Sequence, residues 1–234
     1  MKPDGNYPSA VNELTCLNFA RDCGLVVPAA ELIHIDGVLT LAIQRYDRKG
    51  PDRIHQEDGL QVAGFPWHMK HESDKGPSLR QLFEIVNEIG NPEDVDELLR
   101  RSVLHVVIGN ADAHSKNVAF LHPSDGVGIE IAPIYDIAST VSMKPVDEFG
   151  KAREFSTKLG QFIDGVEDVN EVTRDNLVAE GVSWGMGRVR AGVVVDGFLD
   201  IARKVADANK SDFSEVLTRR IQRICSGRLG ESKR

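Results

Sequence analysis

The segment from Pro92 to Asp136 constrains this chain more than any other. Val95, Leu98, Leu99, Val103, Val106 and Val107 recur at helical spacing behind Pro92-Glu93-Asp94, so a largely buried helix runs to about Ile108. The chain then turns polar: Gly109-Asn110-Ala111-Asp112-Ala113-His114-Ser115-Lys116-Asn117 reads as a loop emerging from that helix. Val118–Leu121 and Ile129–Ala132 come next as a hairpin around Pro123-Ser124-Asp125-Gly126-Val127-Gly128, and Pro133-Ile134-Tyr135-Asp136 closes it. A strand-turn-strand of this length returns the chain, and with it Asp136, to the mouth of the loop.

Asp112 and Asn117 stand five residues apart, and Asp136 comes nineteen residues later. Phosphoryl transfer from ATP needs a carboxylate to orient the attacking hydroxyl and two oxygen-bearing side chains to hold Mg²⁺. An Asp-x-x-x-x-Asn loop followed by an aspartate on the next hairpin meets those needs. By itself the spacing is a weak signal; Asp112 and Asn117 also suit a polar turn, and Asp136 could cap the segment after it.

The rest of the chain frames this segment. Residues 10–23 form a helix with Leu14, Leu17 and Ala20 on one stripe and Gly24 beyond its end. Strands 31–35 and 38–46 flank Asp36-Gly37, a two-residue hairpin turn. The stretch 47–77 is mostly loop, with a short helix near Glu57–Val62. Ser78 caps a helix through Ile89. After Asp136 the pattern is helical: a short helix from Thr173 to Gly181, a longer one through about Ala208, and a last one opened by an Asp212/Glu215 capping box. The layout is α+β, with helices predominating toward the C-terminus.

Composition narrows the functions. With 234 residues, 41% of them apolar, one domain or one pair of lobes can bury a full core. Twenty-eight basic against thirty-six acidic residues give a net charge of -8, which argues against direct nucleic-acid binding through phosphate neutralisation. Cys16, Cys23 and Cys225 are odd in number and lack C-x-x-C spacing, so they encode neither a disulfide framework nor a zinc site. No apolar run is long enough for a membrane span and no signal peptide precedes the first helix, so the expectation is a cytoplasmic protein.

The stretch Ile108–Asn117, with Ile131-Ala132-Pro133-Ile134-Tyr135-Asp136-Ile137, resembles the signature pair of the HipA toxin kinases. Further pieces match in order: Asn12-Glu13, Gly24-Leu25 with Val27-Pro28, Arg45-Tyr46-Asp47-Arg48, Gln56-Glu57-Asp58, and Lys70 through Asp74. The resemblance covers nearly the whole chain. It implies a protein-kinase-like fold with a partial N-lobe over 1–46 and a helical C-lobe over 47–234. It implies Asp112 as catalytic base and Asn117 and Asp136 as Mg²⁺ ligands. It further implies a hinge at Gln44–Tyr46 where backbone groups pair with adenine, and Asp47 beside the ribose. Lys2 falls where the family's ATP-phosphate lysine ends a strand, and His114 and Lys116 flank the base near the γ-phosphate.

The activity implied is ATP- and Mg²⁺-dependent transfer to a protein serine or threonine, by the toxin of a type II toxin–antitoxin pair. Its substrate would be of the aminoacyl-tRNA synthetase kind and its partner a HipB-like antitoxin. The family's glycine-rich phosphate loop precedes the lysine, whereas this sequence starts at it. The expectation is therefore weak nucleotide binding by the chain alone, with the lid supplied by upstream codons or a separate N-terminal polypeptide. That gap favours one alternative, a partner-binding pseudokinase. A small-molecule phosphotransferase usually carries His-Gly-Asp where this chain has Asn110-Ala111-Asp112. A metallohydrolase built on Asp112 and His114 needs further ligands, which the sequence does not reveal.

Overall fold

The computed structural model describes residues 9–122, 128–142, 156–208 and 215–226. Lys2, expected at the ATP phosphates, and Asp212, expected in a capping box, lie outside them. Helix α1 (Ser9–Asp22) buries Cys16, Leu17, Phe19 and Ala20 and ends where Gly24 turns at φ +87°. Hairpin β1 (Ala30–Ile35) and β2 (Val38–Ile43) pivots on Asp36 and Gly37, both at positive φ (51° and 80°), as a type I′ turn requires. Strand β2 stops at Ile43, three residues short of the expected end, although Gln44 N–H still donates to Ala29 O at 2.8 Å, in register with the Ala30–Ile43 pair.

The stretch expected to be mostly loop carries more order than that. Short strands β3 (Arg48–Lys49) and β4 (Asp52–Arg53) pair with each other, and β5 (His55–Asp58) runs directly into α2 (Gly59–Val62). A capping box closes the start of α2, with Asp58 and Gln61 exchanging side-chain bonds with backbone N–H groups. Ser78 and Gln81 do the same for α3 (Leu79–Ile89).

Helix α4 (Pro92–Ile108) is the axis of the molecule. Leu98, Leu99, Val103, Leu104, Val107 and Ile108 are fully or almost fully buried and cover more than one face, so α4 is packed all round rather than laid on a surface. Each such side chain contributes roughly 1.5–3 kcal/mol on burial. Gly109 ends the helix at φ +70°, and the polar loop comes next, closed by a 3₁₀ turn at Ser115–Asn117.

Strands β6 (Ala119–His122) and β7 (Glu130–Ile131) form the expected hairpin, but β5 joins them. His55 stands opposite His122, and Asp58 opposite Ala119, in a three-stranded antiparallel sheet ordered β5-β6-β7. A second hairpin departs from the sequence expectation: β8 (Lys158–Ile163) and β9 (Val166–Asp168) occupy a region whose pattern suggests helix. Asp164 and Gly165 turn it at φ 51° and 74°, the same chemistry as Asp36-Gly37. Glu72 accepts from Phe162 N at 2.8 Å, Glu180 from Asp164 N at 2.6 Å, and Gln161 donates to Pro77 O at 3.2 Å; together they lock this hairpin down. Helices α5 (Arg174–Ser183), α6 (Arg188–Ala208) and α7 (Glu215–Ser226) complete the chain, α5 behind a Thr173/Asn176 capping box. One core runs from α1 through α4 to α7.

Candidate active site

Where α4 ends, the loop is tied to neighbours on several sides. Asn110 Oδ1 accepts from Asp112 N at 3.1 Å, a local turn that sets the direction of the Asp112 side chain. Thr140 Oγ accepts from Ala111 N and donates to Gly109 O, so the segment beyond Asp136 braces the loop. Gly160 N, from β8, donates to Ala111 O at 2.8 Å. Ser115 donates through both N and Oγ to Lys70 O. The loop is built on rigid elements and held by backbone bonds, as a site needing fixed geometry must be.

Asn117 and Asp136 meet directly. Asn117 Nδ2 donates to Asp136 Oδ2 at 2.7 Å, and Asn117 Oδ1 accepts from His114 N at 3.2 Å. Asp136 sits at φ +54°, a left-handed backbone that aspartate tolerates better than most side chains. Tyr135, beside it, donates its hydroxyl to Lys116 O at 2.5 Å. The 3₁₀ turn and the end of the hairpin are thus one unit. Two hard oxygen-bearing side chains converge there, which is the donor chemistry Mg²⁺ takes.

Asp112 is well exposed, with 65% of its side-chain surface open. His71 Nε2 stands 3.5 Å from its Oδ1, and the His71 and His114 rings meet edge to face at 5.3 Å. His114 is buried, its Nε2 2.8 Å from Lys70 Nζ. Burial first, and the Lys70 cation second, depress its pKa, so the ring stays neutral and accepts from the ammonium. The sequence showed no third group beside Asp112 and His114; the fold brings His71 to them, with the three ligand atoms within 4.8 Å of one another. Lys116 enters through its backbone carbonyl.

The hinge residues divide. The Tyr46 ring lies 5.8 Å from that of Tyr135, which puts the residues after β2 beside the Asp136 hairpin. Gln44 has its N–H committed to Ala29 O. Asp47 is buried and its carboxylate is gripped by Arg45 and Arg48, whose guanidinium groups hold its pKa down to about 2. Its contacts in this structure are those of an ion-pair hub.

Helix α1 supplies two residues that spacing alone did not mark. Asn12 exchanges a reciprocal pair of bonds with the Ser139 backbone, docking α1 beside the Asp136 segment. Glu13 comes near Asp136; burial first, and the Asp136 charge second, push its carboxyl up to about 7. A carboxyl raised on folding favours the native state below its unfolded value near 4.5, and that contribution is lost as pH rises through about 7. Stability against urea should therefore fall across this window more steeply than in Glu13→Gln. Carbon-detected NMR should place the Glu13 midpoint near 7, lowered in part by Asp136→Asn. A native midpoint at the ordinary glutamate value refutes the assignment.

A helical lobe around a buried axial helix, with an aspartate loop at its end and an Asn–Asp contact closing the following hairpin, is a kinase-like α+β fold. The solved toxin HipA from Shewanella oneidensis MR-1, in a complex with HipB and operator DNA, superposes with a TM-score of 0.79 at 23% identity. That match covers 94% of this chain and 56% of that one. The kinase CtkA of Helicobacter pylori superposes at 0.54 with 14% identity, over 97% and 81% of the two chains. The family model of the HipA-like C-terminal domain matches residues 1–184, and the chain belongs to that family.

Among curated relatives, the serine/threonine-protein kinase toxin HipA of Shewanella oneidensis is 27% identical over 217 residues, 85% of this chain and 47% of that protein. Y4mE of Sinorhizobium fredii, whose name places it among the kinases, is 36% identical over 148 residues, 60% of this chain and 35% of its own length. The chain thus spans from about a third to about half of these relatives. Among the described residues no helix is long and apolar enough to cross a membrane.

Proposed function

We propose that this chain carries the catalytic half of a HipA-type serine/threonine-protein kinase, transferring the γ-phosphoryl group of ATP to a protein hydroxyl in the cytoplasm as the toxin of a toxin–antitoxin pair. The observation that carries this reading is the 2.7 Å contact between Asn117 and Asp136, made at the foot of a loop that presents Asp112 five residues earlier. Asp112, open to solvent and aimed by Asn110, takes the proton of the attacking hydroxyl. Asn117 and Asp136 hold Mg²⁺, which when bound offsets the negative charge of the phosphates. Neutral His114, next to Lys70, lets one ammonium face the phosphate side without a second cation repelling it. Lys2 is the proposed phosphate lysine, and the backbone of Gln44–Tyr46 the adenine hinge.

Substrates of the aminoacyl-tRNA synthetase kind and a HipB-like antitoxin belong to the same proposal, and the likeness to HipA, solved in a complex with HipB, supports the antitoxin. Calorimetry with ATP tests the metal assignment. Binding should depend on Mg²⁺, and Asp136→Asn should weaken it by at least about 10-fold, since one of two protein ligands loses its charge. Nucleotide affinity equal in Asp136→Asn and the parent, with and without Mg²⁺, would remove Asp136 from the metal site.

A further inference from the structure

A second cluster of ligand-type side chains lies on the sheet, apart from the residues assigned above. His55 and Glu57 are two apart on β5 and so share one face; His122, directly opposite His55 on β6, shares it too. Their ligand atoms all lie within 4.8 Å of one another. Glu57 Oε2 is 2.8 Å from His122 Nε2 and 4.0 Å from His55 Nε2, and the two imidazole rings stand 4.7 Å apart. Gln56, between the two β5 ligands, points to the other face.

A plain His122–Glu57 ion pair explains part of this. It does not explain everything. His122 Nε2 is closed off from solvent and, although 2.8 Å from the carboxylate, has no hydrogen-bond partner. Two groups that share a cation behave in that way, because both aim their lone pairs at the ion rather than at each other. Ligands ~2.0–2.1 Å from a tetrahedral Zn²⁺ stand roughly 3.3 Å apart, and the 2.8 and 4.0 Å separations bracket that value. His55, with 70% of its side chain exposed, leaves the open side needed for entry and for a fourth ligand.

We infer that His55, Glu57 and His122 form a binding site for a borderline divalent transition metal, of which zinc is the natural occupant, and that this site staples β5 to β6. The donor set of two imidazoles and one carboxylate suits zinc, whereas Mg²⁺ prefers all-oxygen surroundings. No cysteine takes part. The staple would fasten a pairing between segments 67 residues apart, His55 to His122, at the edge of the sheet that carries the Asp136 hairpin.

Metal-stripped full-length chain should be titrated with ZnSO₄ against a chromophoric chelator, with melting temperature as a second readout. One zinc should bind at the sheet, raising the melting temperature in proportion to the logarithm of free zinc above the dissociation constant. Cobalt in its place should give the visible absorption of a tetrahedral N/O site. His122→Ala and Glu57→Gln should each weaken this binding by at least about 100-fold. His55→Ala, at a position with 70% of its side chain exposed, should do the same and guards against misreading a folding defect. His71→Ala should leave it intact, which separates this site from the His71–Asp112–His114 group. The inference is overturned if zinc leaves the melting temperature unchanged, or if its binding survives His55→Ala and His122→Ala but is lost in His71→Ala.

Discussion

Replacing Asp112 by asparagine is expected to lower phosphoryl transfer by about 100- to 10,000-fold while leaving Mg-ATP binding close to that of the parent. An amide matches the carboxylate in size but cannot take the hydroxyl proton. The side chain is solvent-exposed and its own contact is the 3.5 Å approach of His71, so the change leaves no buried partner stranded. Labelled phosphate transferred from ATP to lysate proteins is the direct readout, taken on the gene's whole product, with growth arrest on expression as the second. Equal transfer by both forms would show that Asp112 is not the base. A folded, nucleotide-binding parent with no transfer at all would replace the kinase reading with a partner-binding one.

The second large effect belongs to a residue with no chemistry. A methyl group added at Gly160 would sit 2.6 Å from Ala113 O and 2.9 Å from Ala113 C, both backbone atoms of the loop that carries Asp112. Neither can swing aside as a side chain can. β8 is held by Glu72, Glu180 and Gln161, so the strain falls on the loop. Gly160→Ala should cost about 1–3 kcal/mol of stability, read from urea unfolding. Because displacements of about 1 Å at a reacting group cost on the order of 100-fold, transfer should fall by about that factor in protein that is still folded. Gly165→Ala, strained at its own φ of +74° but open around its Cβ, is the control: it should lose stability without the same loss of rate.

The local positions of Asp112, Asn117 and Asp136 were legible because each stands at a boundary between patterns: the end of an apolar helix, the start of a strand, the end of a hairpin. Helix starts at Ser78, Pro92 and Thr173 were readable because capping is local chemistry. The β5-β6 pairing was not, since nothing in His55–Asp58 says that its partner is Ala119–His122. The β8-β9 hairpin carried a readable mark in Asp164-Gly165, but its flanks lack a clean alternation. Lys158 is exposed while Leu159, Gly160 and Gln161 are buried in succession, because β8 is covered on both faces. Asn12, Glu13 and His71 enter through tertiary contacts, which spacing along a chain does not encode. The double arginine grip on Asp47 likewise depends on where Arg45 and Arg48 turn.

The β5-β6 ladder also dictates an order of events as the chain folds. Its partners are separated by α2, α3, α4 and the whole polar loop, so it closes only after a long excursion, and nonlocal closures of that kind are slow to form. Helix α4 and the β6-β7 pairing, made of near neighbours, have no such delay. The loop bearing Asp112 lies inside the excursion and gains its anchors at Lys70, Thr140 and Gly160 from segments on both sides. Its geometry is therefore completed late, after the axial helix is in place. A nascent chain would pass through a compact state in which the core has condensed and the loop bearing Asp112 has not yet taken its final geometry.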